Sequence, residues 1–141
     1  MLTCVSIVYV CAMDMYLLFD QHYKVAVYMR DDKFIAQRRA RIATEFPHME
    51  TIKFGLQELV NRGKHNNVSI KITRQYISGT LAESEHVTID GIKELMRSFD
   101  KCQVHETIDN KAALYPVTND EMIAVLKEKE NIHELFEKFE L

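Results

Sequence analysis

Val68, Ile70 and Ile72 alternate with Ser69, Lys71 and Thr73, a period of two that predicts a strand with one buried and one wet face, running on to Tyr76. Two further β-rich runs, Met15 to Phe19 and Tyr23 to Met29, flank Asp20-Gln21-His22 and read as a hairpin. The opening Met1 to Ala12 is apolar in both alternating sets and rich in β-branched residues, which predicts a strand buried on both faces. Asp31 or Asp32 is placed to cap a helix through about Glu45, with Ile35, Ile42 and Phe46 along one side and Pro47 interrupting it. Met49, Ile52, Leu56, Leu59 and Val60 predict a second helix from about His48 to Arg62, with Gly63 as its stop.

Residues 78–85 follow neither period and read as a loop, after which Thr88 caps a helix carrying Ile89, Ile92, Leu95, Met96 and Phe99 inward. Gln103 to Ile108 suggest a short edge strand and Asp109 to Ala113 a turn. Thr118 and Glu121 have the spacing of a capping box, so a last helix begins there. Met122, Ile123 and Leu126, then Ile132, Leu135, Phe136 and Phe139, give it an apolar stripe interrupted at Glu130-Asn131. That stripe covers either the chain's own core or a partner. The order of elements predicts one α+β domain over residues 1–141, with 117–141 as a C-terminal amphipathic segment. Its sheet is expected to be open and mainly antiparallel, with helices packed mostly on one face.

A chain of 141 residues that is 47% hydrophobic can bury one proper core, and its 4 Gly and 2 Pro exclude collagen-like and low-complexity classes. Cys4, Cys11 and Cys102 are too few for a stapled secreted domain, and the apolar opening lacks the basic start of an export signal. The same run is too short to span a bilayer. A cytoplasmic protein is the expectation.

The net charge of −3 conceals an asymmetry. Lys24 to Arg74 hold eleven Lys or Arg against five Asp or Glu, a net of +6, whereas Gln75 to Leu141 hold seven against fourteen, a net of −7. The basic half is suited to phosphates, and the acidic half can repel them or neutralise the basic half within the fold. Arg38, Arg39 and Arg41 are its densest cluster, and on the expected helix Arg38 and Arg41 share a face with Phe34. That set is the candidate nucleic-acid contact. The competing account is a solvated face paired with acidic side chains.

No local signature of catalysis is present. The histidines His22, His48, His65, His86, His105 and His133 form no HExxH pair, and Cys102 with His105 would be half a zinc site at most. Cys4 and Cys11, seven apart on a strand, point to opposite faces and cannot complete it. Cys102 beside Lys101 is the one nucleophile candidate, and the plainer account is a surface cysteine after a helix end. Gly79 and Gly91 belong to no phosphate loop. No catalytic residue, cofactor or metal is therefore assigned.

Two stretches carry a resemblance. Leu56-Gln57-Glu58-Leu59-Val60-Asn61-Arg62-Gly63-Lys64-His65-Asn66-Asn67-Val68-Ser69-Ile70 resembles a helix-turn-strand element near the C-terminus of the gamma/tau subunit of bacterial DNA polymerase III. The ending from Leu126 to Leu141 is similar to that family's closing helix, with Ile132 where the family has proline. The resemblance implies a non-catalytic tail that binds a polymerase subunit through Leu135, Phe136, Phe139 and Leu141. The leading expectation is thus a protein-interaction module acting through its C-terminal helix, possible also as a homo-oligomer. The alternatives are a nucleic-acid binder using Phe34, Arg38, Arg39 and Arg41, or an enzyme whose site assembles from distant residues.

Overall fold

The computed structural model describes residues 12–63 and 67–108. Three strands come first, β1 (Met13–Phe19), β2 (Tyr23–Arg30) and β3 (Lys33–Arg41), then helix α1 (Pro47–Asn61). Strand β4 (Asn67–Ile72), helices α2 (Arg74–Glu83) and α3 (Asp90–Met96), and strand β5 (Lys101–Glu106) follow. The sheet is open and ordered β3-β2-β1-β4-β5. Pairings β1/β2 and β2/β3 are antiparallel and β1/β4 and β4/β5 parallel, so the expected α+β architecture is realised on a mixed sheet.

Alternation sorts the strands into two faces. Met15, Leu17, Ala26, Tyr28, Val68 and Ile70 point toward the helices, where Ile52, Leu56, Leu59, Tyr76 and Phe99 close the main core. Full burial of one such large apolar side chain contributes about 1.5–3 kcal/mol. The Tyr28 hydroxyl donates to the Gly55 carbonyl at 2.7 Å, bonding β2 to the middle of α1. The opposite face holds Tyr16, Val25, Val27 and Met29, with Leu18 and Phe34 against them.

The hairpin β1–β2, the helix α1 with its stop at Gly63, and the edge strand β5 form as expected. Three expectations are corrected. Residues 33–41 form a strand rather than a helix, because Asp31 and Asp32 both take positive φ (51° and 61°) and make a two-residue turn that returns the chain along β2. Strand β4 stops at Ile72 because Thr73 caps α2, its hydroxyl accepting from the Tyr76 N–H at 3.3 Å. Residues 78–83 are helical because Tyr76 and Glu83 anchor α2 to α1, an attachment between elements that no local period records. The expected first strand within residues 1–11 and the helix over 117–141 lie outside the described residues, apart from Ala12.

Candidate functional site

Strands β1, β4 and β5 run in one direction, and β3, antiparallel to β2, shares it. At β1 the neighbour on one side is antiparallel and on the other parallel. The carboxyl end of β1 therefore faces a point where connections diverge, the place where open α/β sheets hold ligands.

Asp20 follows β1 directly and closes the hairpin, its Oδ1 accepting from the N–H groups of His22 at 2.8 Å and Tyr23 at 2.7 Å. Burial raises its pKa, but those two N–H groups and the charges of Arg39 and His22 outweigh it and hold the carboxylate below its ordinary range. Tyr23 pairs with Arg41 in the β2/β3 ladder. Its ring centroid lies 4.1 Å from the guanidinium carbon of Arg39 and 5.4 Å from that of Arg41, so two arginines contact one aromatic ring. Arg41 is exposed, whereas the guanidinium nitrogens of Arg39 are buried.

Strand alternation divides the arginine cluster that a helix would have kept together. Arg38 faces the helices, with Nε 3.5 Å from Glu58 Oε1, and donates to the Gln37 carbonyl at 3.0 Å. It ties β3 to α1 rather than joining Arg41. Phe34 sits at the start of β3 opposite Met29, about 23 Å along the strand from Arg41. Tyr23, not Phe34, is the aromatic partner of the basic cluster. The predicted contacts Leu135, Phe136, Phe139 and Leu141 lie outside the described residues.

The start of α1 adds a second layer at the same edge. Glu50 pairs with Lys24 and accepts from the Ala43 N–H at 2.9 Å, joining α1 to β2 and to the segment after β3. Glu83 of α2 accepts from the N–H groups of His48 at 3.0 Å and Met49 at 2.9 Å, and its Oε2 lies 2.6 Å from His48 Nδ1. It thereby supplies the cap that Phe46 cannot, with Pro47 at the first helical position. The His48 ring meets Phe19 and Tyr76 edge-on at 4.6 and 4.9 Å. Burial raises the Tyr76 phenol far above its ordinary range, and its hydroxyl donates to the His48 carbonyl at 3.0 Å.

Beside this layer lies a cleft of about 340 Å³ whose walls include Phe46, Met49, Lys53 and Ile92. Among the described residues, no three His, Cys, Asp or Glu side chains are grouped so as to hold a metal ion. Cys102 packs against the main core, and burial pushes its thiol up to about 11, which leaves little nucleophilic thiolate at neutral pH. His105, three residues further along β5, falls on the other face. Sequence reading missed Tyr23 beside Arg41 on one face of the sheet, and Lys24, His48, Glu50 and Glu83, which meet from β2, α1 and α2 on the other; neither group leaves a spacing to find.

No helix among the described residues is long and apolar enough to cross a membrane. No family model and no curated protein matches the chain. Among solved structures, RNase H1 from the halophilic archaeon Halobacterium salinarum superposes with a TM-score of 0.55 at 12% identity, covering 80% of this chain and 97% of that one. A Bacteroides thetaiotaomicron protein of unknown function with an actin-like ATPase fold reaches only 0.42 at 14% identity, covering 88% of this chain and 41% of that one. The first likeness overturns the reading as a replisome interaction tail. Leu56, Leu59 and Ile70 of the resembling stretch are buried in the core, so that stretch is the centre of a domain rather than a tail. The chain shares its fold with RNase H1.

Proposed function

We propose that this chain binds nucleic acid at the carboxyl edge of its sheet, with the exposed Arg41 as the phosphate contact and Tyr23 as the platform that orients it. The observation that carries the reading is the placement of two guanidinium groups on one tyrosine ring beside the diverging connections of the sheet. A guanidinium held over an aromatic ring has its freedom restricted while its N–H fork stays available to phosphate oxygens. The RNase H1 fold supports the same reading by analogy, since that protein is a nuclease acting on nucleic acid. The carboxylates of Asp20, Glu50 and Glu83 are each engaged by backbone N–H groups of the chain itself, which supports binding as the role of this edge.

The test is fluorescence anisotropy of labelled RNA and DNA oligonucleotides titrated with the full chain at several salt concentrations. Arg41→Glu is expected to weaken binding by about tenfold or more at low salt. Equal affinity of Arg41→Glu and the parent chain would remove this edge as the interface.

A further inference from the structure

The cleft of about 340 Å³ between the first turns of α1 and α3 has the size of a small-molecule site, and its walls are sorted into an apolar and a polar side. Phe46, Met49 and Ile92 make the apolar side. Phe46 stands at the position before α1 where a polar side chain would cap the helix, and Glu83 supplies that cap instead. Its ring lines the cleft and lies 22° from parallel to the His86 ring, with centroids 6.2 Å apart. A local rule broken in this way marks a residue kept for another purpose. Gly91 is the second such residue, since glycine within a helix is destabilising relative to alanine. A Cβ there would meet only the tip of Lys53, with Nζ at 3.6 Å and Cε at 3.7 Å, so the ammonium stands at the open wall that Gly91 leaves.

The polar side offers donors. The Thr44 hydroxyl accepts from the Phe46 N–H at 2.8 Å and the Thr88 hydroxyl from the Asp90 N–H at 3.1 Å, which leaves both O–H groups to donate to a ligand. Lys53 adds an ammonium that, among the described residues, forms no ion pair. Glu50, the carboxylate in the same wall, is already bound by Lys24 and by the Ala43 N–H at 2.9 Å. We propose that this cleft binds a small aromatic carboxylate, its ring system against Phe46, Met49 and Ile92 and its carboxylate at Lys53, Thr44 and Thr88. A carboxylate balances the single ammonium and has acceptor sites for all three donors. A phosphate monoester carries roughly two negative charges, and one ammonium beside Glu50 leaves it unbalanced. The site uses neither Arg41 nor Tyr23, so it stands apart from the nucleic-acid reading.

Backbone-amide NMR of the isotope-labelled full chain, titrated with naphthoate, tests the site. Binding is expected to shift the amide signals of Lys53, Thr88 and Gly91. It is expected to be about fivefold weaker in Lys53→Met, whose side chain keeps its length and loses its charge. Naphthalenemethanol, the neutral counterpart, should bind more weakly than naphthoate and equally to the parent and to Lys53→Met. Gly91→Leu should fill the cleft and abolish the shifts while the rest of the amide spectrum stays in place, because its Cβ meets only a flexible side-chain tip. No shifts at millimolar naphthoate, shifts only at residues away from the cleft, or equal affinity for the two compounds overturns the site. Unchanged naphthoate affinity in Lys53→Met or in a folded Gly91→Leu does the same. Tighter binding of naphthyl phosphate than of naphthoate overturns the assignment to a carboxylate.

Discussion

Glu83 accepts hydrogen bonds from the backbone N–H groups of His48 and Met49, so the first turn of α1 is capped by a side chain from α2. A helix beginning without its own capping side chain leaves orphan N–H groups, and here the carboxylate of another element satisfies two of them. The bond fixes where α2 sits against α1 and holds His48 between Phe19 and Tyr76. Glu83→Ala is expected to destabilise the fold by about 2–3 kcal/mol, since it removes the two charge-assisted bonds that cap α1 and the contact with the His48 ring. Urea denaturation monitored by circular dichroism checks it, and a loss below about 0.5 kcal/mol would mean water caps the helix equally well.

Gly79 lies against the His48 ring so closely that an added Cβ would come 2.1 Å from Nε2. The ring is clamped by Glu83, Phe19 and Tyr76 and has little room to retreat. Gly79→Ala is expected to cost about 1–3 kcal/mol through overpacking, despite the higher helix propensity of alanine. In the His48→Ala background the same change should be neutral or stabilising. A double-mutant cycle measures this coupling, and additive effects would show that the ring does not oppose the methyl.

Asp20 contributes stability as an anion. Its carboxyl titrates lower in the folded chain than in the unfolded one, so its contribution is present above the ordinary carboxyl range near 3.9 and is lost as pH falls through the depressed folded value. Asp20→Ala should therefore lower stability by about 1–2 kcal/mol at neutral pH and by progressively less in acid. Parallel curves of stability against pH for the two proteins would contradict this origin.

Cys102 behaves oppositely at the alkaline end. A thiol pushed up to about 11 by burial stays protonated in the folded chain when the unfolded thiol, at about 8.5, has already ionised. Its contribution is complete below the unfolded value and is lost as pH rises toward the folded one. Cys102→Ala should flatten the decline in stability above about pH 9. At pH 8 the native thiol should react with iodoacetamide many times more slowly than the unfolded chain, and equal rates would refute its burial.

Arg41 is expected to set part of the salt dependence of nucleic-acid binding. Removing one phosphate contact lowers the slope of log affinity against log salt by about 0.7–0.9, so Arg41→Ala should bind more weakly at low salt and converge with the parent at high salt. Tyr23→Leu should weaken binding through Arg41 by removing the ring that its guanidinium contacts. An unchanged slope in Arg41→Ala would place the phosphates elsewhere.

Local pattern determined much of this architecture. The alternation of Val68, Ile70 and Ile72, the hairpin around Asp20, and the apolar spacing from Met49 to Leu59 each specify an element whose burial follows its own period. Elements whose conformation depends on a distant contact were not legible. Lys33 to Arg41 contain alanine, glutamine and arginine, which favour a helix locally, and only eight pairings with β2 make them a strand. The Asp31-Asp32 turn was the available signal, and it reads equally well as a helix cap. Helix α2 has few buried residues and therefore a weak period, and it exists in place because Tyr76 and Glu83 bind α1.

The candidate site divides in the same way. Composition alone located the basic half of the chain, while the choice of Arg41 over Arg38 required knowing that residues 33–41 alternate with period two rather than 3.6. Tyr23 and the arginines are sixteen or more residues apart in sequence and adjacent only through the β2/β3 register. Side-chain chemistry is thus written in the chain, but which side chains share a surface was decided by hydrogen bonds between strands and by the carboxylates that hold the helices against them.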